Sequence, residues 1–238
     1  MNASSRVCSS AGSSACSNIT RSGGSGRSDA PAPRPEPQRK WLCWLLGSTV
    51  LATLLWSGIA PYDRITWMME VAPAVVIGPV LLATGRHYPL TTLLYVLITV
   101  HLIGLIVGGA YSYSRVPLGS WIQETFELSR NPYDRLGHFM QGLVPALLAR
   151  EILLQRGYLT SKYMAGFLAT CVAMAFSAVY ELVEWAAALG LGQAADDFLG
   201  MQGDVWDAQA DMFMALLGST LGLLLLSRWQ DWQRARLK

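Results

Sequence analysis

The sequence is short of charge. Only 14% of its 238 residues are Asp, Glu, Lys or Arg, against roughly 25% in an ordinary soluble domain. Set beside 52% hydrophobic residues, that shortage excludes a conventional soluble fold and points to a chain that crosses a membrane several times. The net charge of +2 is too small to suggest nucleic acid as a partner, and no basic and aromatic cluster lies outside the apolar segments. Cysteine is scarce as well. Cys8 and Cys16 lie in a low-complexity stretch, while Cys43 and Cys171 sit within apolar runs. Their spacing fits neither a zinc site nor a disulfide framework. Also missing are an HExxH pair, a nucleophile elbow, a phosphate-binding Walker loop and the double motif of prenyltransferases.

What is present falls into three parts. Residues 1–40 are rich in Ser, Gly, Pro and Arg, a composition that cannot bury enough surface to offset chain entropy and predicts a disordered basic tail. Residues 41–227 hold six apolar segments of about the twenty residues a bilayer requires: Trp41 to Ala60, Ile65 to Thr84, Leu90 to Ala110, Leu136 to Gln155, Tyr163 to Gly190 and Trp206 to Ser227. Residues 228–238 make a short basic tail. The expected fold is an all-α polytopic transmembrane bundle of about six helices.

Counting Lys and Arg by side orients it. With the N-terminus inside, the inner segments hold Arg6, Arg21, Arg27, Arg34, Arg39, Lys40, Arg86, Arg150, Arg156, Lys162, Arg228, Arg234, Arg236 and Lys238, and the outer ones only Arg64, Arg115, Arg130 and Arg135. That is 14 against 4 of the 18 in the chain, so both termini are expected in the cytoplasm. In this orientation Asp63, Glu70, Asp134, His138, Glu181, Glu184, Asp196, Asp197, Asp204, Asp207 and Asp211 gather near the outer face.

Other features bear on packing. Residues Tyr111 to Asn131 form the longest outer connection, amphipathic and aromatic, and predict a short interfacial helix over the mouth of the bundle. Gly104 with Gly108, and Gly218 with Gly222, have the spacing that lets helix backbones approach closely. The tetrapeptide PYDR occurs at Pro61 to Arg64 and again at Pro132 to Arg135. Both copies suit a helix start, with Pro in the first turn and Asp at the positive end of the dipole.

The polar residues recur at helical spacing. Asp134, His138 and Gln141 share one face of the fourth segment, and Ser177, Glu181 and Glu184 one face of the fifth. Asp204, Asp207 and Asp211 fall within a narrow arc at the start of the sixth, and His101 lies near the middle of the third. A structural account covers part of this. Asn131 and Asp204 can cap helices, Arg135 can pair with an acid, and Tyr180 belongs with an interfacial aromatic belt. Capping does not reach Asp211, some 10 Å along the axis from Asp204, and it gives Glu181 and Glu184 no reason to stand where a helix end prefers cations. Ionisable groups at such depth mark a functional site.

One imidazole with several carboxylates is a hard, oxygen-rich set. His138, Glu181, Glu184, Asp207 and Asp211 are therefore candidate ligands for Mg, Mn, Ca or Zn. His138, Glu181 and Glu184 are the candidate catalytic groups, with Asp134, Arg135, Gln141, Tyr180 and Asp204 in support. A metal there would polarise a phosphoryl or carbonyl oxygen of a lipid-linked or envelope substrate, or activate water. Without a metal, His138 between carboxylates is a general acid or base, or a step in a proton relay. The alternatives are a cation- or proton-coupled carrier and a non-catalytic scaffold. Membrane lipid is the expected partner, and no feature specifies an oligomeric state.

The stretches PLTTLLYVL, HLIGLIVGGAYSYSRVPLG, RNPYDRLGHFMQG, SAVYELVEWAAAL and FLGMQGDVWDAQADMFMALLG resemble the YjdF-like bacterial inner-membrane proteins from about Trp41 to Ser227. The resemblance implies a multi-pass protein of the bacterial inner membrane and no particular activity. A fainter similarity links the order Asp134 and His138, Glu181 and Glu184, Asp207 and Asp211 to VanZ-like membrane proteins, where an amide is expected in place of Asp211. That family implies a connection to the cell envelope.

Overall fold

A computed structural model describes residues 37–85, 87–191 and 202–237. The N-terminal tail as far as residue 36, Arg86, Asp196, Asp197 and Lys238 lie outside the described residues. Among those described there are seven α-helices, one 3-10 turn and no strand. They are α1 (Pro37–Ser57), α2 (Arg64–Thr84), α3 (Thr92–Tyr111), a 3-10 turn (Tyr113–Arg115), α4 (Pro117–Thr125), α5 (Tyr133–Gln155), α6 (Lys162–Leu191) and α7 (Asp207–Ala235). Each of the six expected segments is a helix. α7 runs on to Ala235, past the boundary expected at Ser227.

Four of these helices, α2, α3, α6 and α7, are long and apolar enough to cross a membrane. α5 differs by its charged ends: Asp134 and Arg135 at the start, Arg150 and Glu151 near the close, and an apolar middle. Those ends carry the polar chemistry of the bundle.

The two copies of PYDR sit in different registers. Asp63 is the N-cap of α2, accepting from the Thr66 N–H at 2.6 Å, and that bond holds its carboxyl below the usual carboxylate range. Asp134 lies inside the first turn of α5. Neither proline occupies a first turn, since Pro61 precedes α2 and Pro132 is itself the cap position of α5. Their shared sequence reflects a common way of approaching a helix, not a common cap.

α5 and α7 run side by side in the same direction. Arg135 meets Asp207 and Asp211 at their starts, Gly142 meets Ala215 midway, and Leu147 accepts from Gln230 further along, at 2.7 Å. A Cβ on Gly142 would overlap the Ala215 carbonyl, and one on Gly218 would overlap the Phe139 carbonyl. Missing side chains are what bring the two backbones together. Gly104 and Gly108 serve another purpose than the close helix crossing their spacing predicts. The Tyr113 ring lies against Gly108, and the Tyr133 hydroxyl donates to the Gly104 carbonyl at 3.0 Å.

Around this pair, α6 packs through Ala169 and Ala173 against Ala146, and α3 packs through Ile98, Leu102 and Ile106. The connection before α5 does form a short helix, α4. It leaves Leu118, Trp121 and Phe126 exposed and seats Gly119 against the Asn131 amide.

The far end of α5 is a second buried polar cluster. Arg150 and Glu151 do not pair with each other. Glu151 accepts from the N–H and hydroxyl of Thr91 at 2.7 and 2.8 Å and from Gln230 at 3.1 Å. Arg150 donates to Gln230 at 2.8 Å and joins Lys162 on Asp231. Between Gln141 and Arg150, a distance of about 14 Å along the helix, α5 buries only Gly142, Leu143, Val144, Ala146 and Leu147.

Candidate functional site

The start of α5 is held from several directions at once. Asn131 donates to the carbonyls of Ser114 and Val116 at 3.1 and 3.2 Å and accepts from the Tyr133 N–H at 3.0 Å. Its own backbone N–H and C=O are both bound by the Gln202 amide, at 2.9 and 3.1 Å. Gln202 and Gly203 take positive φ, 48° and 86°, which turns the chain so that Asp204, Asp207 and Asp211 descend along the flank of α5.

Two arginines fill the gap between the helices. Arg130 pairs with Asp207 and lies 3.5 Å from both Asp134 and Asp204. Arg135 contacts Asp204 at 2.9 Å, Asp207 at 3.2 Å and, through Nε, Asp211 at 3.1 Å. Asp204 is the outermost of these acids, its side chain 34% exposed. The Trp206 N–H, bound at 2.9 Å, and then Arg135 beside it hold its carboxyl below the usual range.

His138 lies one turn deeper. Its Nε2 faces Asp134 Oδ1 and its Nδ1 faces Glu181 Oε1, each at 3.6 Å. Ligand atoms of Asp134, His138 and Asp211, all three buried, lie within 4.8 Å of one another. One imidazole and two carboxylates brought this near one another are a donor set that a hard divalent ion could bridge. Tyr180 stands edge-on to the imidazole with ring centroids 6.0 Å apart, and its hydroxyl donates to Glu70 at 2.9 Å. Glu70, Tyr113, Asp134, His138, Tyr180 and Glu184 share the wall of a cavity of about 20 Å³, room for one water-sized species.

The charges do not balance. Seven carboxylates gather here: Glu70, Asp134, Glu181, Glu184, Asp204, Asp207 and Asp211. The guanidiniums that meet them among the described residues are two, Arg130 and Arg135, so seven less two leaves five. Setting aside Asp204, which is partly exposed, six carboxylates against two guanidiniums still leave an excess; uncompensated buried carboxylates are costly by several kcal/mol each, so that excess calls for bound cations or protons.

Of the residues singled out from sequence, Asp134, His138, Gln141, Tyr180 and Glu184 line one cavity. Glu181 and Asp211 stand against His138 and Arg135 at its edge. Asp207 is occupied by two arginines, which sets it apart from the other expected ligands. Asp204 binds the Trp206 N–H and does not form a capping box with Asp207, which donates to the Asp204 carbonyl instead. His101, also noted in the sequence, buries an Nε2 without a hydrogen bond in α3. Three participants were not singled out as site residues: Glu70, Arg130 and Tyr113. Glu70 carried the signal already applied to Glu181, an acid deep within an apolar helix. Arg130 stands one turn before Asp134, at the spacing of a helical ion pair.

Comparison with known proteins agrees with the apolar helices. Residues 42–232 match a family described as "Predicted membrane protein (DUF2238)". This chain belongs to that family. It is also 55% identical over 188 residues to "Inner membrane protein YjdF" of Escherichia coli (strain K12), a match covering 79% of this chain and 90% of the relative. No solved structure matches it. The chain is thus a multi-pass protein of the inner membrane, and the family description and the relative's name say nothing of what its members do.

Proposed function

We propose that the protein is a six-span, N-in/C-in membrane enzyme whose periplasmic half binds a hard divalent cation, such as Mn²⁺, at Asp134, His138 and Asp211. The observation that carries this reading is the convergence of those three buried ligand atoms within 4.8 Å, in a site with five more carboxylates than guanidiniums. Span number follows from adding α1 and α5 to the four apolar helices. α5 has 23 residues, about 34 Å at 1.5 Å each, and so reaches across a hydrocarbon core of about 30 Å. The excess of Lys and Arg on one side supports the orientation.

A cation flanked by Arg130 and Arg135 suits an anionic oxygen, and phosphate above all. The substrate class that fits is therefore a phosphate-bearing lipid or lipid-linked envelope precursor reaching the site past Asp204. His138, oriented by Asp134 and Glu181, is the proton carrier for that chemistry. A carrier reading is less well supported, because a layer of Leu and Val separates this cluster from the polar cluster at Arg150. Mass spectrometry of envelope lipids tests the enzyme. Cells lacking the protein should accumulate a phosphate-bearing lipid that wild type clears and His138→Ala and Asp211→Asn do not. Full complementation by both variants would rule the reading out.

A further inference from the structure

Glu184 is a carboxylate with nothing to hold it. Its residue is 8% exposed, it lines the cavity beside His138, and among the described residues no donor or cation binds it. Across the same cavity stands Glu70, 2% exposed and anchored by the Tyr180 hydroxyl at 2.9 Å. Gln141 joins the wall, its amide oxygen buried. Neither arginine lines this space: Arg130 reaches its wall only through Asp134, at 3.5 Å, and Arg135 faces the Asp204, Asp207 and Asp211 carboxylates. The cavity therefore presents oxygen ligands and negative charge with no cation of its own.

We propose that this cavity is a site for one small monovalent cation, sodium or hydronium, held chiefly by Glu184 and Glu70. Size and charge select the ligand. About 20 Å³ accommodates one particle the size of a water, whereas magnesium keeps several waters that have no room here. An unpaired buried carboxylate excludes anions and calls for a proton or a metal ion. The two carboxylates come from α6 and α2, so the ion would tie together helices that otherwise meet here through Tyr180. The inference goes beyond the divalent site, sharing Asp134 and His138 as a common wall but depending on neither Asp211 nor the arginines.

The test uses the purified full-length protein in detergent, with thermal unfolding followed by tryptophan fluorescence in sodium chloride or equimolar choline chloride. At mildly alkaline pH sodium should raise Tm by on the order of five degrees when saturating. Glu184→Gln and Glu70→Gln should abolish the rise, and Asp211→Asn should keep it. If hydronium is the occupant, sodium has no effect and Tm instead falls as pH rises, in wild type and not in Glu184→Gln. A Tm indifferent to both ions in wild type, or an unchanged response in Glu184→Gln, overturns the proposal. Should the variants fail to fold, equilibrium binding of radioactive sodium to wild type decides the sodium case, and proton release on alkaline titration in choline decides the other.

Discussion

Replacing Gly142 by Ala adds one methyl group at the point where α5 and α7 are closest. The new Cβ would overlap the Ala215 carbonyl, a backbone atom that no side-chain rotation can move. Relief requires the helices to separate by about 1 Å or more, and overpacking of this kind costs roughly 1 to 3 kcal/mol. For a domain of this size each kcal/mol lowers Tm by about 2 to 4 °C, so a drop of roughly 2 to 12 °C is expected in detergent. The separation also opens the site one to two turns away, since Asp134 and His138 ride on α5 and Asp211 on α7. Divalent binding should weaken although no ligand has changed. Gly166→Ala is the control: that glycine faces open space in α6, and alanine gains up to about 1 kcal/mol of helix propensity. A Gly142→Ala protein as stable as wild type, or a Gly166→Ala protein equally damaged, would refute the packing argument.

Three further outcomes follow from the polar clusters. Arg135→Gln leaves Asp211 without its guanidinium, at an expected cost of about 2 to 3 kcal/mol, toward the low end for a buried ion because the arginine is partly exposed; adding Asp211→Asn should restore at least about 1 kcal/mol in a double-mutant cycle. Glu151→Gln turns an acceptor facing the Thr91 N–H and hydroxyl into a possible donor, and thermal unfolding should register a loss of about 1 to 3 kcal/mol. Asp63→Ala removes the α2 cap for about 1 kcal/mol. Because the native carboxyl titrates below its unfolded value near 3.9, the charge-dependent part of that cap is complete at neutral pH and is lost as pH falls through the folded value. Asp63→Asn should keep the cap and flatten this acid limb of the stability curve.

The helices were legible because apolar runs of about twenty residues leave little choice in a membrane, and Asp63 in the first PYDR marks the start of one of them. One face of α5 and one of α6 were legible for the same reason, as Asp134, His138 and Gln141 recur at helical spacing and do meet. What spacing within a helix cannot reveal is contact between helices. Asp207 and Asp211 share a face, yet both arginines take the first, while the second meets Arg135 alone and lies within 4.8 Å of His138. Glu70 joins through a tyrosine far along the chain, and no periodicity in α2 announces that bond. Gly104 and Gly218 look alike in sequence, but one receives a tyrosine hydroxyl and the other a helix backbone. The cluster around Arg150 was the least visible, because Gln230 and Asp231 lie where the expected apolar run of the last segment has already ended.

Anomalous scattering from crystals grown with Mn²⁺ addresses the central claim directly. One peak is expected between Asp134, His138 and Asp211, within about 2.2 Å of an imidazole nitrogen, and it should vanish in Asp211→Asn. A manganese-soaked crystal with an intact triad and no peak there, or a peak indifferent to Asp211, would contradict the account.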